Sequence, residues 1–558
     1  LSGPRLDEPP RAAGDPHRLA HDLVLPTLLF AALGGMTWAV RGCTGFGGVA
    51  GCVFAGVAWG AAWWYLARSP DGVRRRRYDS GWIVLALTVG IGLSGARGWM
   101  QWKAFFDGRL VTDAARGEFV PIPRAYGFLW LFLAGVPWAG LGACLLAWCG
   151  SRRPMRAPHW ALRVACGVGG ALLARYLFEA YPRAFLPLYG SIEDRYHDLA
   201  ANPTLRRLVN DCRAATTHLG VYLGLLLFEA LRREGKNVAL ILTVGLVNGA
   251  GWSLLQNWTW ANRLWPDARF NFWRCWESSG GISIGIAYGI AYALVNREMP
   301  ERERAALATR RALAGPGFEW LLVFLGLTWA LGLLFRDLLG GWGDAAFAVV
   351  MLAGAGYDLR RRRIDAAALA LSAALVGCLF APRPYDVLGP IAALALGGAW
   401  YRAHRAAYDE EALRATPPGG DPALERFGLA LGLLAGLGLS VRSGLKGWCN
   451  LYLGDEDFWA RRLWEVLGPV YLVVLVAIAA RLVLHRPASG EAPPRRAGDA
   501  RAYGVMWLVL VVQNVIAQLV TGPPSAWSEV SFSLYYVLLF GLSATVVFHV
   551  HAMRGRPA

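Results

Sequence analysis

Apolar residues in this chain fall in long uninterrupted blocks, not in the alternating or one-faced patterns of soluble strands and helices. Sixteen blocks can be marked, at about 22–40, 46–67, 81–96, 126–149, 160–180, 216–231, 237–256 and 278–296, then about 318–335, 343–357, 366–380, 386–401, 427–441, 463–484, 503–521 and 530–550. Most are roughly 15 to 22 residues long and nearly free of charge, the length and composition of a helix that crosses a bilayer. The pattern predicts an all-α polytopic integral membrane protein.

The connections between blocks alternate in character. Every second one is rich in arginine: Arg74 to Arg77; Arg152, Arg153 and Arg156; Arg232, Arg233 and Lys236; Arg302, Arg304, Arg310 and Arg311; Arg360 to Arg363; Arg402 and Arg405; Arg486, Arg495, Arg496 and Arg501. Cytoplasmic loops carry such an excess, and about 16 transmembrane helices with both termini cytoplasmic place all of them on that side. The expected location is the inner membrane of a bacterial cell. The opposite connections, Trp99 to Tyr126, Tyr181 to Thr216, Trp252 to Trp276 and Trp448 to Trp464, are rich in aromatic residues, which predicts an interfacial belt on the outer face.

Short matches recur in order between the halves. Thr37-Trp38-Ala39 corresponds to Thr328-Trp329-Ala330, and Arg74 to Asp79 to Arg360 to Asp365. Leu188 to Asp194 corresponds to Leu451 to Asp457, each followed by an Arg-Arg-Leu, at Arg206 and Arg461. Such self-similarity predicts a tandem duplication. Because eight is even, the two eight-helix repeats lie parallel, related by an axis along the membrane normal. The expected division is a polar cytoplasmic segment 1–21, a first membrane repeat 22–299, a basic linker 300–317, a second repeat 318–552 and a tail 553–558. The first 21 residues are polar and proline-rich, unlike a cleavable signal peptide, which predicts that the first block is retained as an anchor.

Charge and composition then narrow the partners. The net charge of +17 is almost all arginine, with lysine only at positions 103, 236 and 446, and it is parcelled into short linkers between apolar blocks. A nucleic-acid surface gathers its charge on one soluble face, so the partner predicted here is the lipid bilayer and no nucleic acid. Nine cysteines include no Cys-x-x-Cys pair, and no motif for a metal or cofactor is present.

The candidate chemistry lies where glycine and polar residues meet near block ends. Gly34 to Gly48 carries six glycines and Arg41; similar runs are Gly92 to Trp99 with Arg97, Gly245 to Trp252 with Asn248, and Gly438 to Gly444 with Arg442. Unwound backbone at membrane depth is tolerated where it lines a cavity, and intramembrane arginines face protein or water. The expectation is a set of broken helices around an outward-facing site for a small anionic or saccharide-like solute, with Arg41, Arg97, Asn248, Arg442 and Asn514 binding it. The alternative for the arginines is snorkelling to lipid phosphates. Glu179, His218 and Glu277 are candidates for proton coupling, although Glu179 also stands four residues from Arg175 and can form a structural pair with it. Gly281, Gly285 and Gly289 make a helix-packing face.

Two carboxylate runs near outer arginines support a second reading. A membrane-embedded glycosyl- or phosphoglycosyl-transferase acting on a lipid-linked saccharide needs carboxylates as base or metal ligand, for which Glu193, Asp194, Asp455 and Asp457 are the candidates. The leading reading is a secondary transporter for a polar or anionic solute. A non-catalytic membrane scaffold is third, and it leaves the intramembrane polar groups without a purpose.

Overall fold

A computed structural model describes residues 19–43, 49–67, 75–79, 82–94, 100–153, 157–255, 258–268, 270–304, 470 and 526–554. Within these, each of the first eight apolar blocks is a helix: α1 (Leu25–Cys43), α2 (Val49–Ala67), α3 (Trp82–Ser94), α4 (Ala125–Ala147), α5 (Ala157–Ala180), α6 (Pro203–Leu231), α7 (Gly235–Leu255) and α8 (Phe272–Val295). The last block is α9 (Ala526–Arg554). Blocks nine to fifteen, and with them the proposed duplication, lie outside the described residues.

Seven helices among the described residues are long and apolar enough to cross a membrane, so this is a helical multi-pass membrane protein. Of the remaining two long helices, α2 is buried without interruption from Ala55 to Ala67, a helix apolar all round and enclosed on every side. The 13 residues of α3 rise about 20 Å, short of a bilayer core of about 30 Å.

Glycines set the register between neighbouring helices. A Cβ on Gly281 would collide with the Gly34 carbonyl, on Gly285 with that of Phe30, and on Gly289 with Thr27, so α1 and α8 run antiparallel with their backbones nearly touching. Gly56 and Gly60 of α2 meet Leu87 and Val84 of α3, Gly170 of α5 meets Gly220 of α6, and Gly249 of α7 meets Val136 and Phe132 of α4. Each pair joins an odd-numbered to an even-numbered helix in opposite directions. The first eight helices therefore alternate up and down, and α9 packs along α1, with Leu539 against Gly35, and touches the start of α8 where Tyr535 stands opposite Ser278 and Phe532 opposite Phe270.

Two sequence expectations are corrected here. Within the described residues the glycines do not break their helices: α1 continues through Gly34, Gly35 and Gly42 to Cys43, α3 through Gly92 to Ser94, and α7 through Gly245, Gly249 and Gly251, while 44–48, 95–99 and 438–444 lie outside the described residues. Gly34, Gly35, Gly245, Gly249 and Gly251 instead allow close approach of neighbouring helices and side chains. Several tryptophans assigned to an interfacial belt are core residues, with Trp102 and Trp252 each 1% exposed. Trp38, Trp138 and Trp252 meet edge to face with ring centres 5.0 to 6.0 Å apart, and Trp276 continues the series at 5.4 Å from Trp252. Trp258 and Trp265 remain exposed, as a belt requires.

Candidate functional site

The two ends of the bundle differ. At the end holding the arginine-rich loops, charges are buried and paired. Arg77 donates to the Gly150 carbonyl and pairs with Glu234 at 2.8 Å, and these two side chains are only 1% and 2% exposed. Glu234 also accepts from the Arg153 amide at 2.7 Å. The Tyr78 hydroxyl donates to Asn237 Oδ1 at 2.5 Å, and Asn237 Nδ2 donates to the fully buried Glu229 at 2.8 Å, with Arg163 3.8 Å from the same carboxylate. Asn296 accepts from the Tyr78 amide at 2.8 Å and donates to its carbonyl at 3.1 Å. Burial pushes the Tyr78 phenol far above its ordinary range and pulls Arg232 down, so the tyrosine acts as a neutral donor. This network ties together the turns that follow α2, α4, α6 and α8, which puts those arginine-rich loops on one face.

At the opposite end, α8 begins with a different arrangement. Asn271 caps the helix, its side chain accepting from the Arg274 amide at 3.0 Å. One turn apart, Arg274 and Glu277 are 2% and 3% exposed. The Arg274 guanidinium lies 4.8 Å from the centre of the Phe532 ring of α9, and Phe270 stacks on that ring at 5.2 Å. Trp273 and Trp276 stand 4.6 Å apart beside them. Just below, Ser278 Oγ donates to the Gly35 carbonyl at 3.0 Å and lies 2.8 Å from the Tyr535 hydroxyl. The positive end of the α8 dipole and the arginine give this layer a local preference for an anion.

The α1–α8 register decides which predicted residues join it. Gly34 faces Gly281, so Arg41, seven residues on, lies level with Arg274, seven residues back. Arg41 and Glu277 are thus brought to one end of the bundle. Asn248 is not: Trp252 and Gly251 stand beside Gly280 and Ser283, which places Asn248 about 16 Å below Arg274. There it is fully buried, donating to the Gly135 carbonyl at 2.6 Å while its Oδ1 accepts no hydrogen bond among the described residues. Glu179 pairs with Arg175 at 3.1 Å on the exposed side of α5. Its register partner on α6 is Arg213, 4.0 Å away, and His218 lies further along α6, so the structure does not bring Glu179 and His218 together. Arg97, Arg442, Asn514, Asp455 and Asp457 lie outside the described residues.

Glu193 sits in the loop between α5 and α6, 3.3 Å from Arg183 and 3.6 Å from His197, and Asp194 beside it is exposed. Arg195 reaches across to Thr112 at 2.8 Å and to Glu118 at 3.7 Å on the outer hairpin of Arg109–Asp113 and Glu118–Pro121. These are exposed pairs on a loop surface.

No protein-family model matches the chain, and no curated protein or solved structure matches it. The site therefore rests on its own residues. Sequence reasoning missed Arg274, although Trp273-Arg274-Cys275-Trp276-Glu277 at the mouth of an apolar block was the available signal: an arginine and a carboxylate one turn apart among tryptophans. It also read Arg74 to Arg77 as one arginine-rich connection, and no local pattern distinguishes the buried Arg77 from the exposed Arg75 two positions away.

Proposed function

We propose that the protein is a secondary transporter of the bacterial inner membrane, taking a small anionic solute from the face opposite the arginine loops. The observation that carries this reading is the burial of Arg274 and Glu277 among Phe270, Trp273, Trp276 and Phe532, where the eight-helix unit meets α9. A charged pair at the mouth of a spanning helix is costly unless it faces protein or a polar path. Aromatic walls beside an arginine suit a solute with an anionic group and a flat or ring-shaped body. Arg41 lies at the same level along α1 and is assigned to the same solute site, and Glu277 takes the proton-coupling role together with Glu179 and His218 as separate sites. Arg97, Arg442 and Asn514 complete the solute site in this reading, with Asn248 on the path below it.

The test is uptake into proteoliposomes of labelled inorganic phosphate, a hexose phosphate and a dicarboxylate, with the wild-type protein and Arg274→Gln. Losing a charge-assisted hydrogen bond of about 1.5–3 kcal/mol lowers apparent affinity by roughly 10- to 150-fold. Failure of all three solutes to accumulate, or unchanged uptake by Arg274→Gln, defeats the proposal. Turnover of a lipid-linked saccharide that stops in Glu193→Ala would instead support the transferase.

A further inference from the structure

Two arginines on the arginine-rich face stand apart from the buried network. Arg153 has its backbone held from both directions: its amide donates to Glu234 at 2.7 Å, and its carbonyl accepts from Arg232 at 2.7 Å. These partners flank Arg233, so the backbone of Arg153 is fixed beside the turn that carries Arg233. That turn has Arg233 at φ +56, a left-handed conformation few non-glycine residues adopt. Both side chains are exposed, and neither guanidinium makes an ion pair or hydrogen bond among the described residues, unlike their neighbours Arg77, held by Glu234, and Arg152, held by Glu303.

Directly below Arg233, α6 presents Leu231, Leu227 and Leu223 at 61%, 54% and 50% exposure. Residues four apart share one helix face, so these three form an unbroken apolar ridge that runs from the turn into the membrane. Two preset cations above an apolar ridge match the two parts of an anionic phospholipid: a phosphate for the guanidinium forks and an acyl chain for the leucines. We propose that Arg153 and Arg233 bind the headgroup of an anionic phospholipid of the cytoplasmic leaflet, with its chain along Leu231, Leu227 and Leu223. Charge complementarity favours this occupant, because that leaflet is negatively charged and basic residues beside spanning helices attract its lipids. The site is independent of the transport reading, since it lies at the other end of the bundle from Arg274.

The test is purification of the full chain in mild detergent, with titration of phosphatidylglycerol against phosphatidylcholine and bound lipid counted by native mass spectrometry. Phosphatidylglycerol should be retained in preference, with affinity falling about fivefold for Arg153→Gln or Arg233→Gly and about 25-fold for the pair. Glycine at 233 suits the left-handed backbone, and Arg233→Lys should restore most of the binding. Arg183→Gln, on the opposite face, should leave retention unchanged. Equal retention of both lipids by the wild type, or wild-type retention by a double variant that keeps its native thermal stability, overturns the proposal.

Discussion

Replacing Arg77 by methionine should be among the most damaging single changes in the described part of the protein. The substitution keeps an unbranched side chain and removes the charge opposite Glu234, with both groups almost fully buried. Breaking a buried ion pair by removing one partner costs about 3–5 kcal/mol, because the other charge is left without compensation. Here the lower end applies, since the second Glu234 oxygen keeps its hydrogen bond from the Arg153 amide. The Gly150 carbonyl also loses its donor, which adds about 1 kcal/mol. The single variant should thus lose about 4 kcal/mol. Arg77→Met with Glu234→Leu removes both charges and should recover at least about 2 kcal/mol, because the pair itself is worth little beyond its desolvation. Unfolding in mixed detergent micelles can be followed by the fluorescence of the buried tryptophans. A loss below about 1 kcal/mol for Arg77→Met would refute the account, as would a double variant no more stable than the single one.

Two further outcomes follow from the same coordinates. Gly281→Ala places a methyl group against the Gly34 backbone and should force α1 from α8, costing about 1–3 kcal/mol, whereas Gly190→Ala meets nothing within 4 Å and should be neutral. Thermal unfolding of the two variants side by side checks this. Glu303 titrates below the ordinary carboxylate range: burial alone would raise it, but the hydrogen bond from Arg152 at 2.6 Å and the charge of Lys236 outweigh that effect. Its contribution to stability is therefore complete above the unfolded carboxylate value and lost as pH falls through the lower folded value. Glu303→Gln should flatten the acid limb of a stability-against-pH curve; an identical curve would show that the pairing contributes nothing.

Much of the fold was legible because its strongest signals are local. Among the described residues nine helices overlap nine apolar blocks, since a spanning segment must be continuously apolar to be stable in lipid. The Gly281, Gly285 and Gly289 face was legible for the same reason, being a repeat of four within one helix, and it does pack closely, against α1. What failed was long-range. Glycines at Gly34 and Gly245 read as breaks because the sequence does not say that another backbone passes there, and a glycine serves either purpose. The contact of Tyr78 with Asn237 joins residues 159 positions apart, so no window along the chain contains it. Arg274 was overlooked because charged residues at block edges are usually interfacial, and its burial depends on α9, more than 250 positions away.

The distribution of these contacts also decides which end of the bundle opens more cheaply. The end holding the arginine-rich loops is fastened by buried pairs, Arg77 with Glu234 and Arg163 with Glu229, and by the partly exposed tie between Arg76 and Asp22 at 2.9 Å, which adds the segment leading into α1. Separating the two buried pairs strands charge, at several kcal/mol each. The pairs at the opposite end, Arg183 with Glu193 and Arg195 with Glu118, are exposed and each worth about 0–1 kcal/mol. Opening at that end of the bundle is therefore the cheaper motion. A path through the middle of the eight helices would have to undo both the charge network and the tryptophan core.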